Sequence, residues 1–261
     1  MKKVIGICSL CHEEKRLCQS HIYPESFYKH IYAAKAHKFI TLSTDVTKAI
    51  DLEQCGIREY LMCKECDQGI IGKYDDFIAH WLYYDTIMRP ESFKYSQRFQ
   101  GVDYSLMRLF QLSLLWRFHV VKGHGFKAID LGNEAETIRK MLLAGDPGNP
   151  AYFPCIMIIP KNLFNILSGG ILCPVLAGTD QFPICRTIVV GIVWMWIMVP
   201  NATSHPFSEL AVSPAGYMHL VNGTDEISEA IIRDFVELNR ASAQQPNADK
   251  LGKWGFAQRD Q

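Results

Sequence analysis

Two cysteine pairs of identical spacing, Cys8-Ser9-Leu10-Cys11 and Cys63-Lys64-Glu65-Cys66, stand about fifty residues apart near the start of this chain. A two-residue gap lets one tight turn aim both thiolates at a single ion, and two such turns complete a tetrahedron. The segment between them must then leave and return to one point in space. The pattern predicts a structural zinc site formed by Cys8, Cys11, Cys63 and Cys66. Such a site supplies on the order of 10 kcal/mol or more of folding energy. Spacing alone leaves a second ligand set open: Cys8, Cys11, Cys18 and His21 read C-x2-C-x6-C-x2-H, which gives Cys63 and Cys66 no role.

The chain has nine cysteines. An odd number argues against a complete disulfide framework, so they read as thiols or metal ligands of a reducing compartment. The apolar run Val4 to Leu10 is short for a signal-peptide core. The most apolar stretch, Thr187 to Val199, falls below the roughly 20 residues of a membrane helix. A soluble cytoplasmic protein with no membrane partner is expected. Formal net charge is zero, which excludes a molecule-wide basic surface for nucleic acid. The charge is uneven, however. Up to Lys38 there are seven Lys or Arg against three Glu, whereas from Pro150 to Ala230 acids outnumber bases. The basic end is the candidate for phosphate contact.

Along the chain, Ser26 to Ala36 has helical spacing, and residues 39–60 read as loop and short strand. A helix is expected from Tyr74 to Met88, with Phe77, Trp81, Tyr84 and Met88 on one face and Asp75-Asp76 at its positive end. Asp103 to Val121 is apolar nearly all round and reads as a buried helix. Glu134 to Ala144 is a third helix, stopped by Gly145-Asp146-Pro147-Gly148. Tyr152–Ile159, Ile171–Leu176, Ile184–Val190 and Ile192–Val199 are short apolar runs that predict buried strands. Asp225 to Arg240 is a closing helix, followed by a tail from Ala241 to Gln261. The fold class is α+β: a zinc module with its following helix over 1–100, then an α/β domain of helices and a small sheet over 101–261, with a boundary near 95–105.

A C-x2-C pair, a His21-Ile22-Tyr23-Pro24 element and a second C-x2-C running into a helix together resemble the zinc-bearing branch of the His-Asn-His (HNH) endonuclease family. The resemblance covers about residues 5–80. It implies a ββα, treble-clef-like module in which His21 is the general base that activates water against a phosphodiester. Asp67, just after the second pair, would bind a catalytic magnesium or manganese ion, and DNA would be the substrate, ahead of RNA. This chain departs from the family at Ser20, where a metal ligand usually stands. It also has no Asn before Asn133 to orient the histidine, for which Gln54, Asp51 and Glu53 are the substitutes in reach. A bacterial or phage defence setting follows from the resemblance alone.

The alternative is a non-catalytic adaptor that keeps the zinc module and binds nucleic acid or protein. In either case residues 101–261 would recognise substrate, bind a partner or form a homo-oligomer. Lys29, Lys35 and Lys38, with Tyr28 and Tyr32 between them, fit either a phosphate-tracking face or a solvated helix face. His12, His30, His37 and His80 lack metal spacing. His119 and His124 flank a glycine turn without a nucleotide-loop pattern. Trp116, Trp194 and Trp196 read as core, and Cys155, Cys173 and Cys185 as small hydrophobes.

Overall fold

The computed structural model describes residues 3–32, 39–41, 51–53, 56–84, 96–123, 129–160, 171–179, 183–198, 208–242 and 244. It is a mixed helix-and-sheet, α+β structure. Lys35, His37, Lys38, Gln54, Tyr84's expected partner Met88, His124 and nearly all of the expected tail lie outside the described residues, as do the side chains of Lys29, His30, Tyr32, Asp51, Glu53 and Tyr84.

The N-terminal part is a three-stranded sheet in the order β1-β2-β5, formed by β1 (Ile5–Ile7), β2 (Glu14–His21) and β5 (Arg58–Cys63). Between β2 and β5 the chain makes helix α1 (Glu25–Tyr32) and a separate ribbon of β3 (Phe39–Thr41) and β4 (Asp51–Glu53). Strand β2 reads EKRLCQSH, almost without apolar residues, because it mostly faces solvent and the cleft described below. Its pairing with β5 carries an irregularity: Cys18 faces Met62 but Gln19 faces Tyr60, so Leu61 is the extra residue of a bulge. Bulges re-aim side chains and carbonyls, and here the Leu61 carbonyl accepts from Ser9 N–H at 2.9 Å.

After β5 the chain enters a π-helical stretch, Glu65–Ile71, that runs into α2 (Gly72–Tyr84). The buried stripe of α2 is Tyr74, Ile78 and Trp81, spaced four and three residues apart as a packed helix requires. Phe77, expected on that face, is only partly buried. Helix α3 (Tyr104–Val120) starts at Asp103, whose Oδ1 accepts the Leu106 N–H at 2.9 Å. Every residue from Met107 to Phe118 is buried, as its apolar composition predicts. Helix α4 (Glu134–Ala144) ends at Gly145, which takes the left-handed φ of 66° that favours glycine.

The second sheet has six strands in the order β6-β11-β7-β10-β9-β8. These are β6 (Gln97–Phe99), β7 (Cys155–Ile159), β8 (Ile171–Gly178), β9 (Pro183–Val189), β10 (Ile192–Ile197) and β11 (Met218–Asn222), followed by helix α5 (Asp225–Ser242). Four match the expected apolar runs. Strands β6 and β11, of three and five residues, are not predicted by the apolar pattern, because pieces this short carry little period-two signal. The only parallel pair is β11 with β7 among the described strands.

Residues on both sides of the expected boundary share one core. Helix α3 packs Phe110 against Trp194 and Phe118 against Trp196, while Phe118 also meets Tyr23 and Phe110 meets Phe27. The Tyr23 hydroxyl lies 2.7 Å from the Thr187 hydroxyl and donates to the Leu172 carbonyl at 3.1 Å. Tyr23→Phe is therefore expected to cost about 1 kcal/mol, read as a shift in the urea midpoint with an unchanged slope. Among the described residues, no helix is long and apolar enough to cross a membrane.

Candidate functional site

The turn between β1 and β2 carries Cys8 and Cys11, the last residue of β5 is Cys63, and the π-helical stretch supplies Cys66. The four Sγ atoms all lie within 4.8 Å of one another, and Cys11 Sγ is 4.0 Å from Cys63 Sγ. A tetrahedral zinc ion with bonds of about 2.3 Å needs sulfurs about 3.8 Å apart, so a small contraction seats the ion. Main-chain donors already face the sulfurs: Cys63 N–H points at Cys8 Sγ over 3.3 Å. Cys8, Cys63 and Cys66 are buried and Cys11 is half-buried. Lys15 and Arg139 lie within electrostatic reach of these sulfurs. The rival set is not assembled. Cys18 and His21 lie on β2 outside the cluster, which is the only such group among the described residues.

Helix α4 fastens the first cysteine turn. Arg139 donates Nη1 to the Leu10 carbonyl and grips the Glu136 carboxylate with Nε and Nη2, at 2.6 and 2.7 Å. The guanidinium holds the Glu136 carboxyl down to about 2. Arg139→Met is expected to lower stability by about 1–3 kcal/mol, the worth of a hydrogen bond from a charged donor, with zinc content unchanged. Chemical denaturation and elemental analysis of the same sample check this.

Beside the cluster opens a cleft of about 1170 Å³. From β2 and β5 it is lined by Lys15, Arg16, Gln19, His21, Arg58 and Tyr60. From the start of the π-helical stretch through α2 it is lined by Lys64, Glu65, Asp67, Gln68, Asp75 and Asp76. His21 and Asp67, the two residues singled out by the family resemblance, thus line the same cleft. The His21 Nε2 accepts from Arg58 Nε at 2.8 Å, an interaction the sequence does not suggest because Arg58 lies 37 positions away on the neighbouring strand. Ser20 is fully buried. Its Oγ accepts the Met62 N–H at 3.3 Å and hydrogen-bonds the Asp67 carboxylate. Burial pushes the Asp67 carboxyl above its ordinary range, against the pull of Ser20 and the Arg117 charge.

Under the cleft floor lies Arg117 of α3, with no exposed side-chain surface. Nε donates to the Ser113 carbonyl (3.3 Å) and Nη1 to the His21 carbonyl (3.2 Å) and Asp75 Oδ2 (3.0 Å). Nη2 donates to Asp75 Oδ1 (2.8 Å) and the Ser113 hydroxyl (3.3 Å). All five N–H groups of the guanidinium are used. Asp75, which the sequence suggests as a helix-dipole residue, serves instead as the partner of this buried cation.

Among the described residues, no other histidine joins a metal-holding cluster. His119 Nδ1 accepts the Leu131 N–H at 3.2 Å and closes the turn after α3, and His80 is exposed on α2. Trp116, Trp194 and Trp196 are buried in the core, as are Cys155 and Cys185, while Cys173 is half-buried. The chain matches no family model, no curated protein and no solved structure.

Proposed function

We propose that the protein is a metal-dependent endonuclease, built on a zinc-stabilised treble-clef-like module, that hydrolyses phosphodiester bonds in DNA. The observation that carries this reading is that His21 and Asp67 line one cleft beside the four cysteines. The chain order of a cysteine turn, β2, β5 and a cysteine-bearing helix start also supports it.

In this reading His21 takes the proton of a water that adds to phosphorus as the far P–O bond breaks. Arg58, Lys15, Arg16 and Lys64 attract the phosphate backbone. Asp67 would hold a magnesium or manganese ion, a hard cation that its carboxylate suits. That ion would supply stabilisation of the leaving oxygen's charge. Asp75 is committed to Arg117 and is not available for the role. Residues 101–261 would contribute substrate recognition or a partner surface.

One observation favours the second reading, a non-catalytic adaptor. A general base needs a lone pair facing water, and Arg58 already donates to His21 Nε2. Plasmid nicking with magnesium or manganese separates the two. The wild type is expected to nick supercoiled DNA, and His21→Ala to lose about 10²- to 10⁴-fold in rate, with Asp67→Asn similarly impaired and zinc content intact. A folded, zinc-loaded wild type that cleaves under neither ion would establish the adaptor.

A further inference from the structure

Two arginines of this molecule are used in parallel ways, up to a point. Arg139 gives Nη1 to a main-chain carbonyl and holds a carboxylate with its Nε and Nη2 edge. Arg108, on α3, also gives Nη1 to a main-chain carbonyl, that of Phe153, at 2.9 Å. Its Nε and Nη2 have no hydrogen-bond partner, although the residue is only 1% exposed. These two nitrogens form the side of the guanidinium whose N–H bonds run parallel and match a planar pair of oxygens.

One turn along the same helix, Gln111 is fully buried, and neither its Nε2 nor its Oε1 has a partner. Residues three apart on a helix are surface neighbours, about 5–6 Å between Cβ atoms, so the two orphaned side chains leave the helix from adjacent positions. Charge adds to the case. The ionisable groups that act most strongly on Arg108 are Tyr104, by hydrogen bonding as well as charge, Cys155 and Tyr152. None is a carboxylate, and burial pushes all three above their ordinary values, so they are neutral near pH 7. A buried guanidinium whose Nε and Nη2 donors go unused is costly. Arg117, equally buried on the same helix, shows the usual remedy in Asp75.

We propose that Arg108 and Gln111 form a buried site for a small planar oxyanion of the carboxylate class, held bidentately by the Nε and Nη2 edge. Both residues are almost fully buried, so even a formate- or acetate-sized anion requires local opening for entry. The site is independent of the cleft and of the nuclease reading.

The test uses the full, zinc-loaded chain, titrated with sodium formate or sodium acetate and, at equal ionic strength, sodium chloride. Melting temperature and binding heat are read together. Formate or acetate is expected to raise the melting temperature saturably, by about 3–6 °C at ten times its Kd, and chloride to do less. Arg108→Lys, which keeps the charge but lacks the parallel edge, is expected to lose the response. Gln111→Leu, which leaves Arg108 in place should the first variant not fold, is expected to bind at least about tenfold more weakly, roughly one 1.4 kcal/mol step. The proposal is overturned if neither carboxylate gives a saturable response, if chloride matches formate, or if Gln111→Leu binds as the wild type does.

Discussion

Cys63→Ser is expected to abolish zinc binding and to unfold the segment from β1 through α2. The four sulfurs already converge to within 4.8 Å, and zinc held by such a set supplies on the order of 10–16 kcal/mol at neutral pH. Whole domains are stable by only about 5–15 kcal/mol, so no packing elsewhere compensates for losing the ion. The sheet β1-β2-β5 is small, and Ile5 and Ile7 on its edge are exposed at 69% and 60%, so they add little burial. Elemental analysis should read one zinc per chain in the wild type and none in the variant, with loss of helical signal in circular dichroism. Cys18→Ser provides the contrast and should keep its zinc. Zinc lost from Cys18→Ser but retained in Cys63→Ser would reverse the ligand assignment.

The second large effect is expected at Arg117. Arg117→Met leaves Asp75 facing the protein interior without its cation, and breaking one side of a buried pair costs about 3–5 kcal/mol. It also releases the His21 carbonyl, which links the end of β2 to α3. The double variant Arg117→Met with Asp75→Leu should recover most of this loss, because an apolar pair of similar volume avoids the desolvation cost of both charges. Equilibrium denaturation of the single and double variants measures both numbers. A loss below about 1 kcal/mol in Arg117→Met would mean that Asp75, 20% exposed to the cleft, is solvated well enough to stand alone.

Features carried by local pattern are legible in the amino-acid order alone. The two cysteine turns, the all-apolar α3, α4 with both its ends, and four strands of the larger sheet each follow from spacing within fewer than twenty residues. The features that escape such reading are pairings between distant segments. Ser20 stands out in the sequence as a departure from the family pattern, yet it is buried and bridges Met62 and Asp67. Arg58 reaches His21 because a bulge at Leu61 sets the register of β5 on β2. Arg139 reaches the first cysteine turn across 129 positions.

By itself, then, the sequence narrowed the shared ion to two candidate ligand sets and marked which segments must be buried, since tight-turn geometry and apolar periodicity act locally. The convergence of Cys8, Cys11, Cys63 and Cys66 in space chose between the sets. The sequence was also enough to single out His21 and Asp67 by resemblance. Only the tertiary structure decided that these two face one cleft, that Arg117 spends all five donors beneath it, and that Arg108 keeps an edge unspent. Hydrogen-bond partners of buried charges depend on which strands and helices come within about 3 Å, and register and packing, not spacing along the chain, set that.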